Sequence, residues 1–151
     1  MIKCIIRKYQ INDSISVSNL IRNTLNKVNS KDYSQEIIDK MCRHFTPEKI
    51  NENSISREIY VAVQNEKIIG TVSINNNNIH SFFVDYKHLN EGIGTALYNY
   101  IETRITDNGF KEIIVPSSIT SEYFYHKNGF TAIEAVESIF GKNIIMKKML
   151  K

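Results

Sequence analysis

The sequence predicts an α+β fold in one domain spanning residues 1–151. Apolar residues alternate at every second position in several short segments and recur at helical spacing in others. These segments follow the order β-α-α-β-β-β-α-β-α-β-β, with neither a repeat nor a linker between them. A chain of 151 residues can bury about two-thirds of its surface around one core. We therefore expect a sheet of about seven strands flanked by about four helices.

The N-terminal third predicts one strand and two helices. Residues 1–9 alternate apolar and charged side chains, as a strand does. Asp13 or Ser14 is expected to cap a helix that continues to about Val28. Its inward residues are expected to be Ile15, Leu20, Ile21, Leu25 and Val28.

A second helix is predicted to open at residues 33–36 and to end at Pro47. Its inward residues are expected to be Ile37, Ile38, Met41 and Phe45. Residues 46–56 are polar and predict a loop or one short helical turn.

The central segment predicts three consecutive strands joined by tight turns. Their expected ranges are Glu58–Gln64, Lys67–Ile74 and Ile79–Asp85. The first turn is Asn65-Glu66, and a run of four asparagines, Asn75–Asn78, forms the second, because Asn tolerates positive φ.

The C-terminal part predicts two helices and three strands. A helix over Gly92–Asp107 has a stripe of isoleucine and leucine and stops near Asn108-Gly109. A strand over Lys111–Val115 and a short helix over Ser121–Asn128 follow. Two last strands are expected at about 130–137 and 143–149.

Composition excludes several classes of function. The net charge of +3 is small and dispersed, so no nucleic-acid surface is indicated. No run approaches the ~20 apolar residues needed to cross a membrane. Cys4 and Cys42 are isolated, with neither metal-ligand nor disulfide spacing. We expect a cytoplasmic protein with reduced cysteines and no metal site.

The stretch from Phe82 to Leu97 is the most informative segment. An apolar strand runs into a polar turn, and Gly92 and Gly94 then open a helix. Unpaired amides at a helix N-terminus favour a phosphate, although a plain tight turn explains the same residues.

Thirty residues after Gly94 comes Phe124-Tyr125-His126-Lys127-Asn128-Gly129-Phe130. It resembles the F-Y-x-x-x-G-F signature of the GNAT superfamily of N-acetyltransferases, and the glycine turn resembles that family's Gln/Arg-x-x-Gly-x-Gly/Ala motif. The resemblance covers residues 3–149. Tyr33-Ser34 and Ser118-Ile119-Thr120 are further similar to a bacterial subgroup of small GNAT proteins.

The resemblance implies the GNAT fold, whose mixed central sheet is splayed in the middle, and acetyl-CoA as co-substrate. Amides of Asn90–Thr95 are implied to bind the pyrophosphate, and Phe82–Val84 to pair with the pantetheine arm as an added strand. The implied cofactor-binding residues are Phe82, Phe83, Val84, Leu89, Asn90, Glu91, Gly92, Ile93, Gly94, Thr95, Ser118 and Ser121.

Two residues depart from the family pattern. Leu89 occupies the Gln/Arg position, and Glu91 brings a negative charge close to the expected phosphates. Lys87, His88 or Lys127 is available to compensate.

The resemblance also implies catalytic residues. Tyr125 matches the general acid that protonates the departing thiolate, the alternative being a core tyrosine with a paired hydroxyl. A backbone amide near Phe83 is implied to stabilise the oxyanion. His80 is expected on the same face as Phe82 and Val84, where some members carry a base, although it also fits a plain turn border.

Glu58 is the second candidate for the base. His44 and His126 are expected at the surface, and Asp85 is expected to cap its turn.

The predicted function is transfer of acetyl from acetyl-CoA to a primary amine, of a small molecule or a protein, by direct attack. The cysteines lie outside the predicted cleft, which argues against a covalent route. A non-catalytic acyl-CoA-binding module is the alternative. The helical segment 13–45 is implied to form the acceptor side, where no acidic cluster indicates a polyamine or an aminoglycoside. Its candidate lining residues are Tyr33, Met41, His44 and Phe45, although core packing is the favoured explanation for each. Many family members are dimers, so a homodimer stays open.

Overall fold

The computed structural model describes residues 4–151, which form a seven-stranded mixed sheet with helices on both faces. The strands are β1 (Ile5–Lys8), β2 (Glu58–Gln64), β3 (Lys67–Asn75), β4 (Asn78–Val84), β5 (Glu112–Ser118), β6 (Thr131–Ser138) and β7 (Gly141–Met149). The helices are α1 (Ser14–Lys27), α2 (Gln35–Arg43), α3 (Pro47–Ser56), α4 (Ile93–Asp107) and α5 (Glu122–Lys127). The order β1-β2-β3-β4-β5-β7-β6 is antiparallel except at β4–β5. The predicted α+β class and seven strands are confirmed.

The segment after α2 is a helix, which the sequence analysis did not predict. The side chain of Thr46 accepts a hydrogen bond from the Lys49 amide, and Pro47 occupies the first turn. Pro47 was expected to end a helix, but proline is also favoured at the first helical position because its missing N–H needs no partner there. The structure therefore has five α-helices among residues 4–151 instead of about four.

The start of the first strand and the inward face of α1 were also predicted from the sequence. The predicted first strand began at Met1, and residues 1–3 lie outside the described part of the chain. Ile15 was expected to face inward from α1, but it is 65 % exposed, and Val17 packs in the core instead. Val17 shares the buried face of α1 with Leu20 and Ile21 at helical spacing, whereas Ile15 lies on the opposite side.

Both predicted hairpin turns are present. Asn65 and Glu66 have φ of 49° and 65°, and Asn76 has φ of 55°. Positive φ at these positions lets the turn twist in the sense of the strands that it joins. The β2–β3–β4 meander is therefore built as the asparagine pattern predicts.

The sheet separates two hydrophobic clusters. On one face α4 packs against the sheet through Ile93, Leu97, Ile101 and Ile105, as its stripe predicts. On the other face α1, α2 and α3 pack against residues that include Ile59 and Val61 of β2. Both faces of the central strands are thus covered, and access to their backbones is left at a strand edge.

Close packing of α4 on β3 depends on Gly70. A Cβ atom built there would lie 2.9 Å from Leu97 Cδ1 and 3.2 Å from Ile93 Cγ2. Both of these side chains are almost fully buried and cannot swing aside freely.

We therefore expect Gly70→Ala to lower the free energy of unfolding by about 1–3 kcal/mol through overpacking. Urea unfolding of Gly70→Ala, Leu97→Val and the double variant measures this effect. Because Leu97→Val removes the clashing methyl position, the double variant should be more stable than the two separate losses predict. Strictly additive losses would contradict the clash.

Candidate active site

The site lies where two parallel strands separate. β4 and β5 pair at one position, Asn78 with Ile114. The Ile114 amide donates to Asn77 O at 3.0 Å, and the Asn77 side chain donates to Glu112 O at 3.1 Å. Beyond this point the strands diverge, and a cavity of about 770 Å³ lies between them. The edge of β4 that faces β5 therefore offers its backbone groups to the cavity, as the predicted splay requires.

A β-bulge sets the direction of the side chains on β4. Ser73 pairs with Ser81, whereas the next β3 residue, Ile74, pairs with Ile79, so His80 is an extra residue on β4. As a result Ile79, and not His80, shares a hydrophobic cluster with Phe82 and Val84. The two-residue alternation that placed His80 on their face was wrong, because one inserted residue reverses the phase of a strand.

His80 nevertheless lines the cavity. Its side chain is open to solvent, yet neighbouring atoms desolvate it in part. Desolvation, together with the positive charge of Arg57, lowers the pKa of His80 below its usual value. A lowered pKa keeps the imidazole neutral, and hence basic, at pH 7.

The glycine turn opens helix α4 onto the cavity. Asn90 and Gly92 have φ of 65° and 84°, and Gly92 caps the helix without a side-chain hydrogen bond. The first-turn amides, from Ile93 to Thr95, thus lack an intrahelical acceptor. Residues 92–95 all line the cavity, so these donors and the positive end of the helix dipole are available to an anion.

Gly94 has a packing role within this turn. A Cβ atom there would lie 3.3 Å from the ring of Phe124, and Val84 Cγ2 is 3.7 Å away. The absence of a side chain lets α4, α5 and the end of β4 meet at the cavity.

The two departures from the family pattern lie in different surroundings. Leu89 lines the cavity, whereas Glu91 does not. The carboxylate of Glu91 lies 3.0 Å from His88 Nδ1, so a neighbouring ring is its partner. Lys127 lines the cavity and has no ion pair among the described residues. Lys127 is therefore the one Lys or Arg among the described residues that line the cavity.

Tyr125 extends from α5 into the wall of the cavity. It is 3 % exposed, and the rings of Phe130 and Phe82 lie 5.3 and 6.3 Å away, edge to face. Within residues 4–151 its hydroxyl has no protein hydrogen-bond partner, and it is not among the fully buried unpaired groups, so it opens to the cavity. Burial raises the pKa of Tyr125, which keeps the phenol protonated at neutral pH.

Ser118 and Ser121 lie on the opposite side, after β5. The Ser118 hydroxyl donates to Ser121 Oγ at 3.1 Å, and the Ser121 amide donates to Ser118 Oγ at 3.2 Å. Tyr33 fixes this loop from the helical side. Its hydroxyl accepts from the Ile119 amide at 2.8 Å and donates to Lys142 O at 2.7 Å.

The predicted site residues come together, with one exception. Those that line the cavity are Tyr125, His80, Phe82, Phe83, Val84, Leu89, Asn90, Gly92, Ile93, Gly94, Thr95, Ser118 and Ser121. Glu91 is the exception. Their roles in binding and catalysis stay predictions.

Glu58, the second candidate for the base, does not line the cavity. It accepts from Tyr60 and from Arg104 on α4. The Asp85 side chain accepts from the Lys87 amide and caps its turn as expected. His126 lies at the surface beside Glu122, also as expected.

Of the helical residues considered for the acceptor side, three line the cavity and Tyr33 does not; the three are Met41, His44 and Phe45. His44 is exposed, as expected, and its ring lies 4.6 Å from that of Phe140. Asn29 and Phe140 line the same side and were not predicted. Asn29 follows α1 and is 6 % exposed. No motif marks Asn29 or Phe140, because each reaches the cavity from a connection between elements.

Neither a metal site nor a membrane span is found in the described part of the chain. Residues 4–151 contain no group of three His, Cys, Asp or Glu residues able to hold a metal ion. None of the helices over the same residues has the length and apolar character needed to cross a bilayer.

A family model described as "Acetyltransferase (GNAT) domain" matches residues 29–151. No curated protein sequence matches the chain. Solved structures match over nearly the full length. A "GCN5-related N-acetyltransferase: aminotransferase, class-II" from Rhodopseudomonas palustris has a TM-score of 0.92 at 19% identity, covering 99% of this chain and 98% of that one.

Two further structures contain coenzyme A. PaiA N-acetyltransferase from Thermoplasma acidophilum has a TM-score of 0.83 at 21% identity, covering 98% and 99% of the two chains. An aminoglycoside 6'-N-acetyltransferase has a TM-score of 0.70 at 17% identity, covering 96% of each. At these identities the likeness shows a shared fold.

Replacing Tyr33 by Phe tests the brace, by which we mean the two hydrogen bonds that join the Tyr33 hydroxyl to the Ile119 amide and to Lys142 O. We expect Tyr33→Phe to lower the free energy of unfolding by about 1–3 kcal/mol, because the Ile119 amide and Lys142 O both lose a buried partner. Urea unfolding measures the loss. Tyr123→Phe is the matched control, since Tyr123 is 73 % exposed, and should change stability by less than about 0.5 kcal/mol. Equal effects of the two substitutions would count against the brace.

Proposed function

The chain belongs to the GNAT acetyltransferase family, and we propose that it transfers acetyl from acetyl-CoA to a primary amine by direct attack. The observation that carries the proposal is the cavity between β4 and β5, where an uncapped helix N-terminus, a free strand edge and the Tyr125 hydroxyl meet. Acyl transfer is the activity of the family; acetyl as the acyl group and an amine as the acceptor are our proposal.

Binding of the coenzyme is supported by backbone groups more than by side chains. The pyrophosphate accepts hydrogen bonds from the first-turn amides of α4, and Lys127 supplies the nearby positive charge. The pantetheine arm pairs with the free edge of β4 as an added strand. Pairing of Glu91 with His88 reduces the repulsion that Glu91 exerts on the phosphates. Coenzyme A in structures of the same fold supports this placement.

The chemical step joins the acceptor nitrogen to the acetyl carbon. The neutral amine attacks the thioester carbonyl, and a backbone amide near Phe83 stabilises the resulting oxyanion. A water held by His80 takes the proton from nitrogen. Collapse of the intermediate breaks the C–S bond, and the thiolate takes the proton of Tyr125, which solvent later replaces. Cys4 and Cys42 do not line the cavity, which supports direct attack.

The raised pKa of Tyr125 is compatible with its role as the acid. A buried phenol gives up a proton less readily than a free one. The coenzyme thiolate forms in the same low-dielectric cavity, which raises the pKa of that thiol as well. The two groups therefore stay matched in basicity, and proton transfer between them remains feasible.

A cytoplasmic location and a homodimer are also proposed, from the cysteine pattern and the family respectively. Strand β6 is compatible with a homodimer, because it is an edge strand and each of its eight residues is exposed.

Replacing Tyr125 by Phe separates the enzyme from a module that only binds acyl-CoA. We expect Tyr125→Phe to lower kcat by ~10²-fold or more while the affinity for acetyl-CoA changes little, because the ring stays and only the proton donor is lost. Thiol release measures kcat and calorimetry measures affinity. Tyr100→Phe, a partly exposed position on α4, is the control and should keep full activity.

An unchanged kcat in Tyr125→Phe would show that another group is the acid. Tight binding of acetyl-CoA by the unmodified protein, without turnover on any amine, would favour the non-catalytic module.

The role of His80 is tested by the pH dependence of kcat. The base must be neutral to accept a proton, so kcat should fall as pH decreases through the pKa of His80, which lies below its usual value of about 6.5. We expect His80→Gln to lower kcat by ~10-fold or more at pH 7 and to remove this acidic limb. His126→Gln, at the surface, is the control. Persistence of the limb in His80→Gln would assign it to another group.

A further inference from the structure

The cavity has a second half that the coenzyme motifs do not describe. It lies on the side of α1, α2 and the β6–β7 turn. We name its six principal residues the acceptor wall: Val28, Asn29, Met41, His44, Phe45 and Phe140. Resting on the proposed acetyl transfer, we propose that the acceptor is a primary monoamine with an aromatic or branched aliphatic body, held at its amino group by the Asn29 carboxamide.

The shape of the acceptor wall favours a flat or branched apolar body. Phe45 lies edge to face with Phe83 at 5.6 Å between ring centroids, and His44 with Phe140 at 4.6 Å. Met41 and Val28 add a flexible and a branched apolar surface. Aromatic edges and faces at such angles accept a further ring or a branched chain, whereas a hydroxyl-rich sugar finds few partners among them.

The charges around the cavity exclude acceptors with additional ionised groups. Among the described residues that line it, none is Asp or Glu, and Lys127 is the one Lys or Arg, on the coenzyme side. Two carboxylates contact lining residues from outside: Asp32 accepts from the Thr120 hydroxyl at 2.8 Å, and Glu91 lies 3.0 Å from His88 on the coenzyme side. A polyamine or an aminoglycoside would bury a second ammonium without a counter-charge, and an amino acid would bury its carboxylate likewise.

The same lack of carboxylates assists the reaction of a monoamine. An ammonium entering a cavity without a negative partner loses hydration, which lowers its pKa and favours the neutral, nucleophilic form. A carboxylate at this place would have the opposite effect, because it stabilises the ammonium.

Asn29 is the buried polar residue of the acceptor wall. It is 6 % exposed and lines the cavity, and within residues 4–151 its side-chain amide has no hydrogen-bond partner. The Asn29 amide is not among the fully buried side-chain groups that lack a partner in the described residues. It therefore opens to the cavity, where a ligand atom can replace water as its hydrogen-bond partner. The Asn29 carbonyl is able to accept one N–H of the amine, which leaves the nitrogen lone pair free to attack, without adding charge.

Binding and turnover are measured separately. Calorimetry compares 2-phenylethylamine, 3-methylbutylamine, spermidine, kanamycin and L-lysine on the protein saturated with coenzyme A, and thiol release compares their kcat/KM with acetyl-CoA. We expect the two monoamines to bind at least about 10-fold more tightly than the others and to be the better substrates. Tighter binding of spermidine, kanamycin or L-lysine, or no binding of either monoamine, overturns the inference. Binding of a monoamine without acetylation supports the inference and contradicts the proposed transferase.

The role of Asn29 is tested by Asn29→Asp, which keeps the shape and adds a carboxylate. We expect the ratio of kcat/KM for 2-phenylethylamine to that for spermidine to fall by at least about 10-fold. A purely structural role would lower both values together and leave the ratio unchanged, which overturns the assignment. Asn23→Asp, exposed on α1, adds the same charge outside the cavity and should keep the ratio. If Asn29→Asp fails to fold, Met41→Glu places the charge on the same wall and carries the same expectation.

Discussion

The separation of β4 from β5 is the constraint on which the rest of the site depends. One paired position, Asn78 with Ile114, holds the strands together at one end. Beyond it the backbone groups of β4 lack a strand partner, although β4 lies in the middle of the sheet and not at one of its two edges, β1 and β6. Such an edge is costly unless another molecule or water satisfies it. An extended ligand can therefore pair with the open edge of β4. The helices on either side determine which side chains contact that ligand.

The chemistry of the cavity follows from how little charge surrounds it. Donors for an anion come from the first turn of α4, and the hydroxyl of Tyr125 remains protonated because it is buried. No described carboxylate lines the space in which an amine would react. In the proposed reaction, the same absence would keep an incoming amine neutral and limit the acceptors that can be bound. Reactivity and selectivity would then have one physical origin, the poor stabilisation of an ammonium on the acceptor side of the cavity.

Local patterns succeeded wherever the determining contacts were close in sequence. The asparagine turns, the stripe of α4 and the start of that helix at Gly92 are all present. They failed where one inserted residue reversed the alternation of a strand, or where a residue type is compatible with both the end and the start of a helix. His80 is inserted in β4 as a bulge, so alternation assigned it to the wrong face. Pro47 fits the end of one helix and the first turn of the next, and the capping bond of Thr46 decides for the latter.

The sequence by itself determined the α+β order, the glycine turn and the Phe124-Tyr125 signature, since each is a short pattern whose meaning is local. Through a family resemblance it therefore predicted thirteen of the residues around the cavity. Glu91 does not line the cavity, because its carboxylate lies against the side chain of His88. Tertiary structure alone decided that Asn29 and Phe140 face the same space. Those residues are far apart in the chain and lie at helix ends or turns without a motif. Only the packing of α1, α2 and the β6–β7 turn against the open sheet brings them together.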